Sequence, residues 1–146
     1  MAAIEDAILL AVTAHKGQVD KGGAPYIFHP LRLMLQMDDD NERMAAVLHD
    51  VVEDTEVTLD DIREAGFPDA VIEAVDLLTH GENVPYEDYI NRLRPNPVAR
   101  KVKMADLVDN MDVRRLTVVD EKARKRAKKY KAVLESLRSG ASLNLS

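Results

Sequence analysis

Ala45-Ala46-Val47-Leu48-His49-Asp50-Val51-Val52-Glu53-Asp54-Thr55 sets four acid/base or metal-competent side chains inside an apolar run. The run reads as one helix. At about 100° per residue, His49, Asp50, Glu53 and Asp54 fall within an arc of roughly 140°. Val47, Leu48, Val51 and Val52 continue a buried surface beside them. Polar groups on a partly buried face are costly unless something satisfies them. A divalent cation does so most simply; a solvated acidic helix edge is the plainer alternative.

The composition narrows the classes. The 146 residues suit one domain with a core of its own. No run of eighteen apolar residues is present, so no membrane span is expected. Met1-Ala2-Ala3-Ile4-Glu5-Asp6 lacks a basic start, which speaks against a signal peptide and for a cytoplasmic protein. Cysteine is absent, so any metal must be held by His and carboxylate. The net charge of -6 argues against nucleic-acid binding. Residues 1–99 hold 7 Lys/Arg against 20 Asp/Glu, and residues 100–146 hold 13 against 6. An acidic region beside a basic one suits a phosphorylated ligand bridged by a cation, although a solvated face of the last helix explains most of the basic residues.

Working outward, helical spacing of Ile4, Ala7, Ile8, Ala11 and Val12 predicts a first helix to about Gln18. Lys21-Gly22-Gly23-Ala24-Pro25 reads as a loop. His29 stands at the corner where Pro30 opens a helix to about Met37. Asp38 to Asn41 offer N-caps for the central helix. Thr58 with Asp61 has capping-box spacing. Further helices are expected from Pro68 to Thr79, Tyr86 to Leu93, Val98 to Met111, and Glu121 to Leu137, the last capped by Asp120. His80 falls in a loop and reads as surface. No segment alternates as a strand. The expectation is all-α, seven or eight helices, one domain over 1–138 and a frayed tail over 139–146.

A second constellation is Lys103-Met104-Ala105-Asp106-Leu107-Val108-Asp109-Asn110. Asp106 and Asn110 share a helical face, and Asp106 lies in an apolar stretch where an unpaired carboxylate is expensive. With His29, His49 and Asp50 it makes a mixed N/O set suited to Mn²⁺, Fe²⁺ or Zn²⁺. Glu53 and Asp54 are then the natural groups to orient a water. His15 reads as a partly buried, satisfied histidine more readily than as a ligand.

Four blocks together resemble the HD-domain phosphohydrolases, and more narrowly the hydrolase domain of the RelA/SpoT homologues and the small alarmone hydrolases. They are His15-Lys16-Gly17-Gln18, Pro25-Tyr26-Ile27-Phe28-His29-Pro30, Leu48 to Thr55, and Val102 to Asn110. The resemblance implies a compact HD fold and one Mn²⁺ held by His29, His49, Asp50 and Asp106. It implies Glu53 and Asp54 as the catalytic pair, and Lys21 and Asn110 at the nucleotide. The implied reaction removes the 3′-pyrophosphate of guanosine tetra- or pentaphosphate. The length leaves no room for the family's synthetase domain, so synthesis is not expected. No nucleic-acid or membrane partner is implied, and the oligomeric state stays open.

The ligand-reading positions depart from the family. Asp20 stands where the family has an Arg that packs on the base, although Lys21 matches the Lys that follows. Leu107 stands where Arg or Lys is usual, and Asp112-Val113 where a polar pair such as Arg-Thr is usual. The same chemistry on an adenosine alarmone or on NADPH is therefore the second reading. A non-catalytic nucleotide sensor is the third, weakened by the retained Glu53 and Asp54.

Overall fold

The computed structural model describes residues 2–112, 120–140 and 143. Among them are nine helices and no strand beyond an isolated bridge between Val19 and Pro25. In order these are α1 (Ile4–His15), α2 (Phe28–Leu35), α3 (Asp40–Leu48), α4 (Val51–Asp54), α5 (Leu59–Glu64), α6 (Asp69–Leu78), α7 (Tyr86–Leu93), α8 (Pro97–Asn110) and α9 (Glu121–Ser139). The all-α expectation holds. None of these helices is long and apolar enough to cross a membrane.

Local chemistry fixes the helix starts. Asp39 caps α3, accepting from the Glu42 N–H, while Glu42 reaches back to the Asp39 N–H. Thr58 and Asp61 close the same reciprocal box on α5. Asn96 caps α8 with Pro97 in its first turn, and Asp120 caps α9. Helix α2 starts at Phe28, earlier than Pro30 alone suggested, because Pro is tolerated throughout a first turn.

Helix α3 is the central element, packed on α1, α2, α6 and α8. Ala45, Ala46, Val47 and Leu48 are fully buried. Burying Val47 and Leu48 contributes about 1.5–3 kcal/mol each. Two apolar clusters meet on this helix: Ala45 and Ala46 join one with Leu33, Ile90, Leu107 and Leu134, and Val47 and Leu48 join another with Ala7, Ile62 and Val71.

One continuous helix over 45–55 does not form. Asp50 has φ -106° and ψ 0°, at the edge of the helical region and far from ideal helical values, and α3 ends before it while α4 starts afresh at Val51. The arc drawn for a regular helix therefore does not describe this stretch. The extra helix beyond the expected eight comes from that interruption. The C-terminal expectation also shifts: α9 continues to Ser139, and Leu143 is buried in the core with its N–H donating to Asn91 Oδ1 at 3.2 Å.

Candidate metal centre

Three elements bring the four expected ligands together: α2 carries His29, the α3–α4 junction carries His49 and Asp50, and α8 carries Asp106. His29 Nε2 lies 2.9 Å from Asp106 Oδ1. His49 Nε2 lies 3.0 Å from Asp50 Oδ2 and 3.5 Å from Asp106 Oδ1. The break at Asp50 makes this possible. Consecutive residues of a regular helix point about 100° apart, and here they converge.

The far side of each imidazole is also held. His49 Nδ1 donates to the Ala46 carbonyl at 2.7 Å. His29 Nδ1 donates to Asp109 Oδ2 at 2.5 Å, and Arg32 holds Asp109 through Nε at 2.8 Å and Nη2 at 2.9 Å. With Nδ1 protonated, a neutral imidazole presents its Nε2 lone pair to the carboxylates. His49 Nε2 is buried and makes no hydrogen bond. A lone pair facing carboxylate oxygens needs a proton or a cation between them. The side chains fit a divalent ion: two imidazole nitrogens, two carboxylates, and partners that fix each ring.

The electrostatics agree. Burial pulls both histidines towards neutrality, yet Asp50 and Asp106 outweigh it for His49, and Asp106 and Asp109 do so for His29, so both favour a positive charge. Burial raises Asp106, but Lys103 and the two histidines hold its carboxyl well below the ordinary range. Lys103 Nζ sits 3.0 Å from Asp106 Oδ2, and Asn110 Nδ2 donates to Oδ1 at 2.9 Å.

A cleft of about 260 Å³ opens over these groups. Glu53 and Asp54 line it, Glu53 held through its carboxylate and Asp54 through its backbone. Glu53 Oε1 accepts the His80 backbone N–H at 2.7 Å, and Gln18 Nε2 donates to the Asp54 carbonyl at 3.1 Å. Burial, then the charges of Asp50 and Glu53, raise Asp54 to about 6. His80 is not a plain surface residue. It lines the cleft, and its ring stacks on Tyr89 at 4.6 Å.

An adjoining cleft of about 270 Å³ contains Lys21, Asn110, Arg126 and Tyr130. Lys21 and Asn110 are exposed there. Asp20 lines it too, with Oδ1 accepting the Gly22 and Ala24 N–H groups at 2.9 and 3.0 Å, so the residue braces its own loop. Leu107 is buried in the core, which accounts for an apolar residue where the family has a cation. Val113 lies outside the described residues.

Sequence reasoning missed Asp109, Arg32 and Tyr26. Asp109 is three residues from Asp106 on α8, a spacing that could have drawn attention to it. Tyr26 donates its hydroxyl to Asp50 Oδ2. His15 is buried, with Nδ1 donating to Gln18 Oε1 at 2.9 Å and Nε2 unpartnered, so it is only half satisfied.

No family model matches the chain. It is 34% identical over 145 residues to the GTP pyrophosphokinase of Streptomyces coelicolor, covering 90% of this chain and 16% of that protein. It is 34% identical over 138 residues to the guanosine-3′,5′-bis(diphosphate) 3′-pyrophosphohydrolase of Aquifex aeolicus, covering 86% and 19%. The Vibrio cholerae protein of that second name is 38% identical over 90 residues, covering 59% and 13%. The chain thus spans less than a fifth of the length of these relatives. A solved structure of a metazoan SpoT orthologue, described as hydrolysing ppGpp, superposes with TM-score 0.76 at 24% identity, covering 99% of this chain and 90% of that one. The all-α fold is therefore that of the HD-domain class. Over most of its own length, the chain is similar to a segment of longer proteins named for GTP pyrophosphokinase and for (p)ppGpp 3′-pyrophosphohydrolase activity.

Proposed function

We propose that the chain is a Mn²⁺-dependent hydrolase that removes the 3′-pyrophosphate of ppGpp or pppGpp, giving GDP or GTP and pyrophosphate. The observation that carries this is His49 Nε2, buried without a hydrogen bond between two carboxylates, in the cleft that Glu53 and Asp54 also line. His29, His49, Asp50 and Asp106 would hold one divalent ion. Bound there, such an ion supplies Lewis acidity and a more acidic water.

The chain's own groups do the rest. Asp109 and the Ala46 carbonyl keep the imidazoles oriented. Glu53, fixed by the His80 N–H, orients the water, and Asp54 accepts its proton. The water oxygen bonds to the phosphorus attached to the 3′ oxygen; the bond between them breaks, and the 3′ oxygen takes up a proton as pyrophosphate departs. Lys21 and Asn110 meet the nucleotide from the adjoining cleft.

The second reading keeps this chemistry on an adenosine alarmone or NADPH. The inward turn of Asp20 favours it, since a carboxylate tied to its own loop does not stack on a base as a guanidinium does. Purified Mn²⁺-loaded protein incubated with ppGpp, ppApp or NADPH, with products resolved by ion exchange, tests both. Pyrophosphate and GDP from ppGpp are expected. Cleavage of ppApp or NADPH alone moves the substrate, and no turnover in protein that retains its metal overturns the enzyme reading.

A further inference from the structure

The main cleft also carries cations. Lys103 on α8 and Lys129 on α9 both line it. Tyr86 stands between them, with Lys129 Nζ 4.2 Å and Lys103 Nζ 5.8 Å from its ring centroid. The two tyrosines of α7 behave differently. Tyr89 Oη donates to the Leu78 carbonyl at 2.8 Å, whereas Tyr86 Oη is buried and makes no hydrogen bond. Lys129 forms no ion pair among the described residues, and Lys103 pairs only with Asp106. Two ammonium groups and an unused hydroxyl donor therefore share one corner, a shortage of acceptors that an anion rich in oxygens relieves. The metal-competent cluster lines the same cleft, so with a divalent ion held there a phosphorylated ligand would present negative oxygens both to the ion and to these ammonium groups.

We propose that Lys103, Lys129 and the Tyr86 hydroxyl form a subsite for the distal phosphoryl group of a pyrophosphate, the part of the substrate that departs. This rests on the hydrolase reading for the substrate's identity. The corner's preference for a diphosphate over a monophosphate can be measured without turnover. Lys129 is exposed at the cleft rim, so its replacement leaves the core intact.

The test is calorimetric titration of the metal-loaded protein, freed of excess metal, with inorganic pyrophosphate, orthophosphate and GDP. Lys129→Met and Tyr86→Phe are compared with wild type, and circular dichroism checks the fold. Wild type should bind pyrophosphate more tightly than orthophosphate. Lys129→Met should weaken pyrophosphate roughly tenfold, Tyr86→Phe roughly threefold, and neither should change GDP affinity more than about twofold. Unchanged pyrophosphate affinity in both folded variants, or no pyrophosphate binding by wild type, overturns the subsite. The two readings fail separately. Loss of pyrophosphate binding in Lys129→Met by a protein that does not cleave ppGpp keeps the subsite and removes the hydrolase. Cleavage of ppGpp with pyrophosphate affinity unaltered in the variants does the reverse.

Discussion

The two clefts are built on opposite principles. In the first, His29, His49 and Asp106 are buried, and every imidazole has its far nitrogen fixed by a second group. In the second, Lys21 is exposed and Asp20 is spent on bracing its own loop, while Asn110 lines both clefts and ties back to Asp106. Chemistry that depends on a bond-forming geometry is placed where packing dictates position. On the proposed reading, recognition of the nucleotide falls largely to exposed groups such as Lys21, which can be exchanged without disturbing a core. If the proposed function holds, substrate preference can drift while the metal-competent cluster stays put.

The largest break in that comparison comes from His49→Ala or Asp106→Asn. Either should abolish activity and metal retention with the helical fold largely preserved, read by metal analysis beside circular dichroism. Full activity in metal-stripped mutant protein would remove these residues from the site. Glu53→Gln should keep the metal and slow turnover by about 10²–10⁴-fold, the range of a lost acid/base group. Unchanged single-turnover rates would take Glu53 out of the mechanism.

Asp109→Asn probes the layer behind the ligands. Its effect should be about 10–100-fold in metal affinity, measured by competition with a chelator. A change below twofold would mean that the His29 ring needs no bracing. Lys21→Ala should act on the exposed end, raising KM a few-fold with kcat nearly constant, as loss of one exposed charge-assisted contact implies.

The smallest effect concerns Asp54. With its carboxyl raised to about 6 in the fold, it binds a proton more readily than in the unfolded chain. Its contribution to stability is thus fully present below its unfolded value, and is lost as pH rises through about 6. Carboxyl carbon shifts of metal-free protein should show that midpoint. Glu53→Gln should lower it by removing a neighbouring negative charge.

Much of this was legible in the sequence because polar residues inside apolar runs announce themselves. His49, Asp50 and Asp106 interrupt buried helices, and the caps Thr58 and Asp120 sit where their hydrogen bonds are needed. The break at Asp50 was not legible. Helical periodicity carries no record of a single residue's dihedrals, and Val51 and Val52 continue the apolar pattern across it. His80 escaped because its contribution is a backbone N–H, which every non-proline residue owns. Asp109 escaped because its partner His29 lies 80 residues away, beyond any local pattern. Leu143 follows a Gly and polar residues that read as an end, and nothing local marks its packing on the core.

The placement of the four ligands has a thermodynamic corollary. His29 and Asp106 are 77 residues apart in the chain, on helices that meet only in the folded state. An ion gripped by both acts as a removable cross-link, binding the native state and not the disordered one. At a hundredfold excess over its Kd, that linkage is worth about 2.7 kcal/mol. If the proposed ion binds there, occupancy of the centre and resistance to unfolding become one quantity, and stripping the metal should expose the protein to proteolysis as well as silencing the proposed activity.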